Sequence, residues 1–205
     1  MSYYAGCDLG PVTESTALAV LEKEYRPGGA AYRVRHLERF AAGTPYRETA
    51  AKVGRVLRLP ELGGCPLALD RTGVGASVAA LFRQLSESVC PVVISAGHSA
   101  AFGEDGAWRV PRLELVAVLQ VLLQNRRLQV AADLPMAAVL TKELASFKAR
   151  VVPAGAESIT DWREGPHDDL VLSVALAAWQ GERDQPDAGE PLTFPDTRLP
   201  PMSHY

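Results

Sequence analysis

The sequence predicts an α/β chain built on a mixed sheet, with an antiparallel meander first and parallel strands after it, flanked by helices. Three observations lead there. Apolar runs of strand length follow one another up to Phe40, with turn residues between them and no helical stripe. Beyond Thr44, strand-like and helix-like runs alternate, the order that makes parallel neighbours through crossover helices. Finally, 205 residues of 47% hydrophobic content bury one good core but are few for two complete enzyme domains. One domain over residues 1–181 and a tail over 182–205 are expected.

The meander starts with apolar runs over 4–9 and 17–21. In AAYRVRHLERF, Tyr32, Val34 and His36 then alternate with Arg33, Arg35 and Leu37, a period of two bounded by Gly and Pro on both sides. A helix follows over 46–59, with Thr44 as its cap, Pro45 at an early position, Ala50, Val53, Val56 and Leu57 as its apolar stripe, and Pro60 as its stop. A strand over 66–69 delivers Asp70. The turn Thr72-Gly73-Val74-Gly75 passes into a helix carrying Val78, Leu81, Phe82 and Leu85 on one side, and a strand over 90–95 completes a parallel pair. These runs make a mixed five-stranded sheet, three strands antiparallel and then parallel ones.

Residues 97–106 read as a mobile loop. After Trp108, Arg109 and Val110 come a helix over 111–125, a short strand over 128–130 and a helix over 137–147. The run LELVAVLQVLL is apolar on most sides and too short for a bilayer, so it reads as a buried core helix. The last helix starts at HDDL, His167 to Leu170, and continues through VLSVALAAW.

The net charge of −3 divides unevenly. Of 24 acids and 21 bases, the tail takes Glu182, Asp184, Asp187, Glu190 and Asp196 against Arg183 and Arg198, which leaves the body formally neutral. The tail is acidic, rich in proline, and expected to be disordered and dispensable for catalysis. Cations bound at a few acids would leave the rest of the body positive and permit phosphate contacts. Cys7, Cys65 and Cys90 are far apart and form no CxxC pair, so reduced, buried thiols are expected rather than disulfides or zinc. No segment approaches the roughly 18 apolar residues of a membrane span, and none has the signature of a cleaved signal. A soluble, cytoplasmic protein with no membrane partner is expected.

The chemistry lies in the placement of acids. Asp8 ends the first strand-like run in AGCDLG, Asp70 ends CPLALD, and Asp168 and Asp169 open the last helix. If those strands are neighbours and the helix begins beside them, the acids converge on one edge of the sheet, as a divalent-metal nuclease requires. Each acid also has an ordinary reading, as a helix cap for Asp168 or Asp169 and as a turn residue for Asp8 and Asp70. Their joint occurrence in this order favours metal ligation. Consecutive residues at a helix start cannot both point one way, so Asp168 and Asp169 compete for one ligand role.

The pattern resembles the RNase H-like nucleases. The segments GCDLGPVTESTALAVLE, LALDRTGVG, WRVPRLELVAVLQVLLQNRRLQVA, TKELASFKA and WREGPHDDLVLSVALAAW are similar to the C-terminal nuclease domain of phage large terminase subunits, over about residues 3–181. The resemblance implies two-metal cleavage of double-stranded DNA during genome packaging, with Asp8, Asp70, Asp168 and Asp169 holding two Mg²⁺ or Mn²⁺ ions. Asp8 would bridge them. Carboxylates suit such hard cations, and two ions roughly 3.5–4 Å apart activate water on one side of a phosphodiester and stabilise the leaving oxygen on the other. The resemblance also implies a separate terminase ATPase and a portal or small terminase subunit as partners, in the cytoplasm of a phage-infected or prophage-bearing cell. No GxxxxGK[ST] loop is present, so ATP hydrolysis would belong elsewhere.

Glu14 stands where this family often has an aspartate, and His167, Arg112 and Arg163 are candidates for phosphate contact, each with an ordinary surface role as the alternative. Two rival classes share part of the pattern. A non-catalytic DNA-docking or assembly module would keep the fold without cleavage. An actin-like or sugar-kinase-type ATP-binding domain also carries a DLG motif in its first strand, but it needs two such domains and has no place for the HDDL helix.

Overall fold

The computed structural model describes residues 2–26, 29–84, 88–150 and 168–184. His167, Arg163 and the tail beyond Asp184, each the subject of a sequence expectation, lie outside the described residues.

The apolar runs of the first forty positions form β1 (Ser2–Asp8), β2 (Thr16–Glu24) and β3 (Ala31–Phe40), paired antiparallel as expected. Then come α1 (Tyr46–Leu57), β4 (Leu67–Asp70), α2 (Ala76–Arg83) and β5 (Val89–Ser95), with β4 parallel to both β1 and β5. This is the mixed five-stranded core predicted from the sequence. Three short strands extend it to eight: β6 (Ala101–Phe102) and β7 (Trp108–Pro111) at one edge and β8 (Leu128–Val130) at the other, in the order β6-β7-β5-β4-β1-β2-β3-β8. Helices α3 (Arg112–Gln124), α4 (Ala137–Arg150) and α5 (Asp169–Arg183) complete the chain. Among the described residues no helix is long and apolar enough to cross a membrane.

Strand alternation divides the core in two. On one face Tyr4, Ala17, Ala19, Leu21 and Ala68 pack with α3 and α5; on the other, Ala5, Cys7, Leu18, Val20, Leu67 and Leu69 pack with α1 and α2. Helix α5 lies along β1 at backbone contact. A Cβ on Gly6 would stand 2.0 Å from the Ser173 carbonyl oxygen and 2.6 Å from the Ala177 nitrogen, so only glycine lets the helix come this close. At its far end Tyr4 donates to Asp184 at 2.5 Å, and the Lys23 ammonium donates to the carbonyls of Gly181 and Asp184 at 2.5 and 2.7 Å. Those carbonyls are the ones a helix C-terminus leaves unpaired. Helix α5 therefore runs antiparallel to β1, and its first turn stands over the end of that strand.

Three local expectations need correction. The expected loop over 97–106 contains β6, whose Ala101 and Phe102 pair with Arg109 and Trp108, because Gly103 and Gly106 close a tight hairpin. Pro45, not Thr44, is the N-cap of α1, and the Thr44 hydroxyl donates back to the Ala41 carbonyl at 2.7 Å. Helix α3 is only half a core helix: Leu115, Val116, Leu119 and Leu122 are buried, whereas Leu113, Val121 and Leu123 face outward. The three cysteines are free thiols, as expected.

One irregularity decides what reaches the site. The pairing of β3 with β2 shifts between Val20 and Leu21, so that Val20 faces His36 while Leu21 faces Val34, with Arg35 as the extra residue. A bulge of this kind reverses the parity of everything after it. Tyr32 and Val34 lie on the α5 face, and beyond the bulge so do Leu37 and, two residues on, Arg39.

Candidate metal and catalytic site

A single row of residues crosses four strands. Asp70 is opposite Asp8 in the parallel β4–β1 pair, Asp8 is opposite Ala17, and Ala17 is opposite Arg39. Partners across a ladder share a face, so all four side chains rise on the side that α5 covers. The small side chain of Ala17 stands between Asp8 and Arg39. The first turn of α5 then adds Asp169. The convergence of Asp8, Asp70 and the start of the last helix, expected from the sequence, is thus the arrangement found.

Asp8 and Asp70 stand within hydrogen-bonding reach of each other. Burial pushes the Asp8 carboxyl well above the ordinary carboxylate range, and the charges of Asp70 and Asp169, the bond to Asp70 and the charge of Glu14 push it further. Two carboxylates this close share a proton unless a cation separates them. One oxygen of Asp70, Oδ1, is oriented by the following turn, accepting from the Thr72 backbone nitrogen at 2.8 Å and from the Thr72 hydroxyl at 2.5 Å. The Thr72 hydroxyl in turn accepts from Ile94 in β5 at 2.8 Å. Asp70 therefore does serve as a turn residue, and that turn fixes its carboxyl at the edge of Asp8.

Asp169 is held differently. Arg39 grips it with a two-pronged contact, Nε to Oδ2 at 2.8 Å and Nη2 to Oδ1 at 2.5 Å, and the Ser15 hydroxyl donates to Oδ2 at 2.8 Å. The Arg39 Nη2 also donates to Oε1 of Glu143 on α4. Burial raises the Glu143 carboxyl above its usual range; Arg39 acts against this, and the charges of Asp169 and Asp168 add to it. Asp168 is the N-cap of α5 but makes no side-chain capping hydrogen bond. Glu14 is exposed in the loop between β1 and β2, and its charge is felt at Asp8. Arg112 opens α3 at the end of β7.

Among the described residues no three His, Cys, Asp or Glu side chains are grouped so as to hold a metal ion. Asp8 and Asp70 are a pair, and Asp169, the next acid, is turned to Arg39. The donors nevertheless fit a hard cation: they are all carboxylate oxygens, and two of them are pressed together at the cost of ionisation. Sequence reasoning missed Arg39, Ser15, Glu143 and Arg71. Glu143 lies within TKELASFKA, and Arg71 directly follows Asp70. The Arg71 side chain is nearly buried and pairs with Asp105 of the β6–β7 hairpin, which also takes Arg109 at 2.7 Å.

No family model and no curated protein matches the sequence. Solved structures do match. The large terminase nuclease from thermophilic phage G20c, in a structure with bound zinc, superposes with a TM-score of 0.55 at 19% identity, over 87% of this chain and 81% of that one. The P22 large terminase nuclease domain gives 0.54 at 12% identity, over 88% and 81%. The human cytomegalovirus terminase nuclease domain gives 0.52 at 16% identity, over 87% and 82%. The fold of this chain is that of these terminase nuclease domains.

Proposed function

We propose that this chain, having the fold of large terminase nuclease domains, is a metal-dependent endonuclease that hydrolyses phosphodiester bonds in double-stranded DNA. The observation that carries the reading is the pairing of Asp8 with Asp70 at the ends of neighbouring parallel strands, where burial and mutual repulsion leave room for a cation's charge. Two divalent ions held at these acids would, when bound, supply an activated water and stabilise the leaving oxygen. Asp8 and Asp70, with Asp169 or Asp168, would hold the ions. The zinc in the phage G20c structure supports a divalent cation in this fold. The all-oxygen donor set here favours Mg²⁺ or Mn²⁺.

The chain's own residues contribute rigidity and charge. The sheet holds Asp8 and Asp70 in register, Thr72 orients Asp70, and the Ser15 hydroxyl orients Asp169. Neutralising the acids leaves a body with excess positive charge for the DNA backbone. In genome packaging, ATP hydrolysis would fall to another domain or chain, with a portal or small terminase subunit as a further partner.

Cleavage of supercoiled plasmid with Mg²⁺, Mn²⁺ or EDTA tests the reading, beside Asp8→Asn and Asp70→Asn. Nicking and linearisation that need the metal and vanish in both variants are expected; cleavage that survives either substitution removes that acid from the site. A second reading, a DNA-docking module without catalysis, is favoured by the engagement of Asp169 with Arg39. It predicts metal-independent DNA binding and no cleavage under any condition.

A further inference from the structure

We propose that Arg39 is a positioning residue that takes the place of a cation on Asp169 in the metal-free protein, and that Glu143 receives its guanidinium when Asp169 turns to the metal. This rests on the metal-centre reading of Asp8 and Asp70. Both oxygens of Asp169 are engaged by Arg39, with the Ser15 hydroxyl sharing Oδ2. A carboxylate so held keeps one lone pair, on Oδ1, so it cannot bind a cation through both oxygens while Arg39 and Ser15 occupy it.

The surroundings favour exchange over a permanent tie. The Arg39 side chain is 20% exposed, while those of Asp169 and Glu143 are each 8% exposed, so one guanidinium serves two buried carboxylates. Glu143 uses only Oε1 for Arg39; its Oε2 is buried and has no hydrogen-bond partner among the described residues. An unsatisfied buried acceptor beside a guanidinium is a position into which that guanidinium can move. Moving Arg39 fully onto Glu143 replaces the hydrogen bonds it gave to Asp169 and pairs the second Glu143 oxygen, while a cation at Asp8 and Asp70 takes over the Asp169 charge. The bulge at Arg35 makes this possible by aligning Arg39 in the row of Asp8 and Asp70.

The test is Mn²⁺ affinity of the full chain, read from the electron paramagnetic resonance of free Mn²⁺, with circular dichroism to confirm folding. Arg39→Gln removes the competing cation and is expected to tighten Mn²⁺ binding by on the order of tenfold, a typical coupling between sites. Glu143→Gln weakens the alternative seat for Arg39 and is expected to loosen binding several-fold. Arg39→Lys, which keeps the charge but loses the fork, should fall between wild type and Arg39→Gln. Opposite shifts in the first two variants support the exchange. Unchanged affinity in Glu143→Gln, or weaker binding in Arg39→Gln, overturns it and makes the network a structural tie between α4, α5 and the sheet. No Mn²⁺ binding by the wild type overturns the metal-centre reading and this inference together.

Discussion

Asp8 ties the chemistry of the site to the stability of the fold. Its carboxyl is held well above the ordinary range by burial and by Asp70. A carboxyl that binds its proton more tightly folded than unfolded contributes stability below its unfolded pKa, about 3.9, and that contribution is lost as pH rises through the folded value. The melting temperature of the metal-free protein is therefore expected to fall as pH is raised from about 4 through the raised pKa of Asp8. Asp8→Asn keeps the shape and removes the charge, so its melting temperature should depend less steeply on pH and equal or exceed that of the wild type at neutral pH. Calorimetry of both proteins across pH checks this; parallel curves would assign the effect to other groups. The thiols offer a second test. Burial pushes Cys65 up to about 12 and Cys90 up to about 11. Native protein should react slowly with a thiol reagent at pH 8 and rapidly once unfolded.

Helix α5 presents the Asp169 carboxylate, and two contacts set its height and its length along the sheet. Gly6→Ala would drive a methyl into the backbone of Ser173 and Ala177. Neither atom can yield without moving the helix, so a loss of about 3 kcal/mol or more is expected in urea unfolding, at or beyond the upper end of ordinary overpacking. A stability change below a few tenths of that would mean that α5 does not lie as close to β1. Lys23→Met leaves the last carbonyls of α5 without their charged donor and should cost about 1–3 kcal/mol. Because Lys23 lies at the opposite end of the helix from Asp169, Mn²⁺ affinity should be retained. The period of the sequence made most elements legible, including α5 and its polar start. It did not reveal β6, because a two-residue strand has too few positions to show alternation, nor the exposed side of α3, because its apolar residues exceed what one face can bury.

At the scale of the whole molecule, the acids come from β1, β4 and α5, so a cation that needs all of them binds the native state alone. Mg²⁺ or Mn²⁺ should then stabilise the protein against global unfolding, by about 2.7 kcal/mol at a hundredfold excess over Kd. That stabilisation should be lost in Asp8→Asn; its persistence there would place the cation elsewhere. The acids themselves were legible in the sequence, because a carboxylate ending a strand or opening a helix stands out against an apolar run. The antiparallel meander and the parallel β4–β5 pair followed from the same pattern, whereas the seat of β4 beside β1 entered only as a condition of the reading. The partner of Asp169 was not legible. Simple alternation from Tyr32 and Val34 turns Arg39 away from α5, and only the bulge at Arg35 turns it back. Glu143 likewise meets Arg39 only because α4 and α5 fold over the same end of the sheet. Local pattern specifies which residues an element carries and which of its faces is apolar, whereas pairing register and helix placement depend on the packing of distant segments, and here they select the charge that the third acid meets.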